Sequence, residues 1–270
     1  AYGAALLLLA ITAAGVALGD LQQPAQWRPF FVFAGVWFLL LALPTLLFLR
    51  EGPAPTPAAT PGAPTRTLAG AAFARLGESV RNIRRYPDLS TLLLAGFFYG
   101  AGIQVVVAFA SILAQDFGFT GQDLVIFVAV ITISGIAGTF VPALLQDRLG
   151  HRRTVSALLV VWIGTTLLLA LYAWLRARSA APDQFPRWPM WALGNLVGFG
   201  LGSLGAANRG FVGFLVPRER AAEVFGVSGM VLRLAAVTTV PFALAKDALG
   251  APTALLVLAG MLVAGLVVTR

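Results

Sequence analysis

The chain has 270 residues, 59% of them hydrophobic and only 11% charged, with a mean hydropathy of +0.86. Soluble domains carry about 25% charged residues, so this composition excludes an ordinary water-soluble globule and points to a membrane-embedded chain. The net charge is +8, there is no cysteine, and His151 is the single histidine. Disulfide and thiol chemistry are thereby excluded, and one histidine does not build a metal site. A basic balance in a soluble protein suggests nucleic acid; in a membrane chain it reads first as topology.

Eight segments are apolar over roughly the 20 residues that a span needs: 2–19, 29–49, 90–114, 123–146, 154–176, 188–216, 223–246 and 251–269. Leu, Ala, Val and Phe dominate them without strand-like alternation, so helices are expected rather than a barrel. The first run is entered at Ala1 with no charged leader, and the chain is expected to be a piece of a longer protein. Between the second and third spans lies the one long connection. It opens as EGPAPTPAATPGAPTRT, a flexible linker. It continues as LAGAAFARLGESVRNIRRYPDL, where Leu68, Ala72, Phe73, Leu76, Val80 and Ile83 recur at spacings of three and four. That pattern predicts an amphipathic helix, either on the cytoplasmic membrane surface or docked on the bundle.

Basic residues alternate between the two sides of this plan. Segment 50–88, the loops 147–153 and 217–222, and Arg270 carry 12, against five on the other side (Arg28, Arg176, Arg178, Arg187 and Lys246). The positive-inside rule makes the richer side cytoplasmic, with both chain ends there, in a multi-pass protein of the cell membrane. Two spans, a cytoplasmic link and six spans are what a transporter of two six-helix repeats shows when four N-terminal helices are missing. The expected divisions are 1–49 (the end of the first repeat), 50–88 (the link) and 89–270 (the second repeat). The missing helices, a small solute and membrane lipids are the expected partners, and nucleic acid is not.

The sixth span contains GNLVGFGLGSLGAANRG, residues 194–210. Gly194, Gly198 and Gly202 continue through Ala206 to Gly210 as a small-residue series suited to close helix packing. Gly202 and Gly205 precede Arg209 in the pattern that Gly226 and Gly229 repeat before Arg233, and Gly205, Gly226 and Gly229 are expected to serve helix packing with the others. Arg209 lies about 12 Å of helix from Pro217, and Arg233 about 15 Å from Glu223. Both are thus well inside their spans, yet no acid lies mid-span anywhere. Buried guanidinium groups need counter-charges, water or an anionic ligand. Arg209 and Arg233 are therefore candidates for a solute carboxylate, with structural ion pairing or snorkelling as the rival reading. Tyr99, Gln104 and Asn208 are the other polar candidates, with interhelical hydrogen bonding as the rival.

The loop sequence ALLQDRLGHRRT resembles the cytoplasmic signature of the major facilitator superfamily through Asp147, Arg148, Gly150, Arg152 and Arg153, although Ala143 replaces its leading glycine. Within that superfamily the chain resembles the autophagy-related protein 22-like, or vacuole-effluxer, branch. The matches are Tyr99, Gly102, Ile103 and Gln104, then Arg209, Phe211, Val216, Pro217, Glu223, Phe225 and Gly226; Gly100 and Ala101 replace the branch's Asn-Asp. The resemblance implies an all-α, major-facilitator-type bundle with about 8 of an expected 12 transmembrane helices. It also implies secondary transport and, from fungal members, amino-acid export. Asp147, Arg148, Gly150, Arg152 and Arg153 are expected to form a cytoplasmic latch that breaks as the halves rock, with simple anchoring as the rival.

The reading is thus a secondary transporter exporting an amino acid or other carboxylate-bearing solute by alternating access. Drug or sugar export, or a non-transporting scaffold or receptor on the same frame, remain alternatives. There is no Ser/His/Asp set, metal cluster or phosphate loop in the spans, so no enzyme and no cofactor are expected.

Overall fold

The structure is a computed structural model that describes residues 28–48, 86–181, 184–216 and 220–270, together with Ile11, Gly77 and Arg81. The expected span 2–19 and the amphipathic stretch of the link otherwise lie outside the described residues. The described elements are all helical: α1 (Arg28–Phe48), α2 (Pro87–Asp116), α3 (Gly121–Leu149), α4 (His151–Ala177), α5 (Trp188–Leu215), α6 (Ala221–Leu234), a 3-10 turn (Ala235–Thr238), α7 (Thr239–Leu249) and α8 (Ala251–Thr269). With α6 through α7 taken as one path, seven helices among the described residues are long and apolar enough to cross a membrane.

Helix α1 falls in one compact unit of the chain, Ala1–Glu78, and the others fall in a second, Ser79–Arg270. Within α1, Phe33 stacks on Trp37 at 5.9 Å. In the second unit, proline opens α2, α5 and α8 in the first turn, where its missing N–H costs no helical hydrogen bond. Helix α5 lies along α3, and α8 lies against both α2 and α4. Tyr99, Leu159, Trp162, Leu204 and Leu262 form one core cluster; Phe117, Phe119, Phe127, Phe242 and Leu255 belong to another.

Glycine governs the closest helix pair. A Cβ on Gly202 would overlap the Gly135 carbonyl, one on Gly198 the Ile131 carbonyl, and one on Gly194 would sit 2.5 Å from the Phe127 ring. Only bare backbone permits α3 and α5 to come this near. The pair is also tied by polar bonds, from Ser134 to the Asn195 side chain and from Gln146 Nε2 to the Ala207 carbonyl at 2.9 Å.

Two sequence expectations change. The segment 147–153, expected as a loop, is almost wholly helical. Helix α3 runs to Leu149 and α4 starts at His151, so the reversal takes place at Gly150 alone, with φ +81°. That backbone conformation suits glycine. Gly250 does the same between α7 and α8, with φ +85°. The span 223–246, expected as one helix, is broken by the 3-10 turn at 235–238. Pro241 has no N–H to give the Val237 carbonyl and its ring crowds that carbonyl, which locally favours the tighter turn. Thr238 and Thr239 donate their hydroxyls back to the Ala235 and Ala236 carbonyls and help to satisfy it.

Candidate functional site

The polar residues singled out in the sequence separate into two groups. Tyr99 on α2 and Asn208 on α5 are buried and bonded to each other, Tyr99 donating its hydroxyl to Asn208 Oδ1. They form an internal tie, and neither faces an open surface. Gln104, half-buried one turn along α2, donates from Nε2 to the Leu232 carbonyl at 3.0 Å. It thus caps the end of α6 just before the break, where regular helical partners run out. Gly100 lets α2 approach this point, since a Cβ there would stand 3.1 Å from both Ala235 and Leu232.

Arg209 and Arg233 are different. Both are exposed, and neither has an ion pair or hydrogen bond among the described residues. The acids of the described helices, Asp88, Asp116, Asp123, Asp147, Glu223 and Asp247, all lie in end turns. Those that pair do so with residues at helix ends: Lys246 Nζ to Asp116 at 2.9 Å, tying α7 to α2, and Arg187 to Asp123 at 3.8 Å. No such partner reaches the two mid-span arginines.

The glycines of the repeated signature also divide. Gly194, Gly198 and Gly202 pack against α3, whereas the packing expected of Gly205, Gly226 and Gly229 is not met among the described residues. Nothing lies within 4 Å of a Cβ placed on any of those three. They lie on the stripes of α5 and α6 that also carry Arg209 and Arg233, and periodicity alone does not tell an open glycine from a packed one.

At the expected cytoplasmic end, Asp147, Arg148 and Arg153 are exposed and carry no ion pair among the described residues. Asp147 does not cap α4, whose N-cap is Gly150 without a side-chain bond. Arg152 alone of this set reaches another helix, donating from Nε to the Thr269 carbonyl at 2.7 Å. His151, assigned no site role in the sequence, stacks its ring on Phe214 at 4.5 Å. A polar cleft lies beside them, lined by Asp88, Thr91, Arg152, Phe211 and Arg270. A second pocket, within the bundle, is lined by Val105, Phe127, Trp162, Leu255 and Leu262 and holds no charged group.

These features define an all-helical chain with several membrane-length helices, an architecture consistent with a major-facilitator-type bundle. The profile of the vacuole effluxer Atg22-like family matches residues 1–268, and the chain belongs to that family. It is 29% identical over 154 residues to an uncharacterized MFS-type transporter, YxiO, of Bacillus subtilis, covering 57% of this chain and 33% of the relative. It is 25% identical over 193 residues to autophagy-related protein 22-1 of Penicillium rubens, covering 68% and 32%. It is 28% identical over 192 residues to autophagy-related protein 22 of Coccidioides immitis, again covering 68% and 32%. The chain therefore spans about a third of the length of these relatives.

Proposed function

We propose that the protein is a secondary transporter that moves a small carboxylate-bearing solute, such as an amino acid, by alternating access, and that Arg209 contacts the solute acid. The observation that carries this reading is the pair of mid-span arginines that have no ion pair or hydrogen bond among the described residues. A guanidinium inside a membrane protein is costly unless an anion or water meets it. A carboxylate accepts two parallel N–H bonds from arginine, which gives both charge and direction. The effluxer description of the family supports an outward direction. In this reading the residues at 147–153 form a cytoplasmic latch, and Gln104 and the break after α6 border the solute path.

The test is counterflow by the full-length protein in proteoliposomes, with a panel of acids, amino acids, sugars and apolar cations. Saturable exchange confined to acid-bearing solutes is the expected result. Exchange of a sugar or an apolar cation instead, or of nothing by folded protein, would reject this assignment.

A further inference from the structure

The apolar pocket inside the second unit is a cavity of about 50 Å3. Helices α2, α3, α4, α5 and α8 each give it a wall, so it lies within the bundle rather than on its surface. Two aromatic rings hold it open. The six-membered edge of Trp162 is wedged against α2, where a Cβ on Gly102 would lie 3.2 Å from Cζ3. Its pyrrole edge is wedged against α5, where a Cβ on Gly200 would lie 2.8 Å from Cδ1. Phe127 is seated on α5 in the same way, 2.5 Å from a Cβ on Gly194. It also packs on the rings of Phe119 at 4.9 Å and Trp191 at 5.5 Å. Rings pinned on two sides do not swing in to close the void, and closing it by moving the helices would press them into glycine backbone.

The walls give water nothing to hold. A buried water needs about two to four polar partners. Thr166 is the one hydroxyl on the lining, and it is donated to the Trp162 carbonyl at 2.9 Å. Trp162 places Nε1 beside Gly200, which does not line the cavity. An empty apolar cavity leaves its wall atoms without dispersion partners on one side. An apolar occupant restores those contacts.

We infer that this cavity is a binding site for a small, uncharged, apolar molecule of a few heavy atoms. An apolar cavity of roughly 150 Å3 takes benzene or xenon; this one, at about a third of that volume, suits a xenon-sized guest. The way in lies on α2. Val106 and Ala110, one turn apart, are half-buried, whereas every other lining residue is buried. Met190, unbranched and adaptable, gives the site one wall that adjusts to its occupant. Arg209 does not line the cavity, so the site does not depend on the transport reading.

Xenon is the probe, followed by saturation-transfer xenon NMR on the full-length protein in detergent micelles and on empty micelles. A bound-xenon signal is expected with the protein and not with micelles alone. Ala110→Leu, which enlarges the side chain at the mouth, abolishes that signal. Val197→Ile, which adds a methyl group to the α5 wall, weakens it severalfold and carries the test should Ala110→Leu not fold. Gly260→Leu, on α8 away from the cavity and with nothing within 4 Å of a Cβ, leaves the signal unchanged. Melting temperatures no lower than wild type show that the variants are folded. The absence of any protein-dependent signal, or a signal that keeps its wild-type strength in a folded Ala110→Leu or Val197→Ile variant, would overturn the site.

Discussion

Single residues in this molecule are held by what the bilayer denies them. With no water to satisfy a stray polar group, Tyr99 and Asn208 satisfy each other inside the bundle. Tyr99→Phe is expected to cost about 1 kcal/mol, read as a lower melting temperature in detergent, since the Asn208 carbonyl loses its donor. Gly202 is the more demanding position. Adding one methyl there runs into the Gly135 carbonyl, and overpacking of this kind costs about 1–3 kcal/mol. Gly202→Ala should melt earlier than wild type, while Gly260→Ala, with open space around it, should not. The pairing of Gly202 with α3 was legible as a small-residue series. The openness of Gly205 and Gly229 was not, because helix periodicity places residues on a face without saying what that face meets.

The elements show where sequence reading failed and why. A span of even hydrophobicity conceals its break: 223–246 read as one helix, although Pro241 was in plain view. Proline near the end of a span is often tolerated, and only the structure puts the 3-10 turn at 235–238 with Gln104 bonded beside it. Pro241→Ala restores the missing donor to the Val237 carbonyl. Amide exchange around 239–242 is then expected to slow severalfold; no change would assign the break to packing of Ala235 against Gly100 instead. Charged residues likewise made 147–153 read as a loop. Polarity marks where the chain leaves the membrane interior, but not whether helix continues to Gly150.

At the scale of the whole molecule, the helical class, the positions of the described spans and the family were legible, because apolar runs and the Asp147–Arg153 signature are local signals. The exposure of Arg209 and Arg233 was not, because it depends on how several helices pack at once. The proposed topology is open to a direct check, since the chain has no cysteine. Arg153 and Ala180 are both exposed, at opposite ends of α4. Arg153→Cys should react with an impermeant thiol reagent only from the cytoplasm, and Ala180→Cys only from outside; the reverse would invert the orientation. The most direct test of the central claim places the only reactive thiol at Gly205, one turn from Arg209, in the full-length protein freed of any others. If Arg209 lines a wet path for an acidic solute, Gly205→Cys reacts with a charged, water-soluble methanethiosulfonate reagent, and an acid-bearing solute slows the reaction while glucose does not. A thiol that never reacts, or that reacts at one rate whatever solute is present, would contradict it.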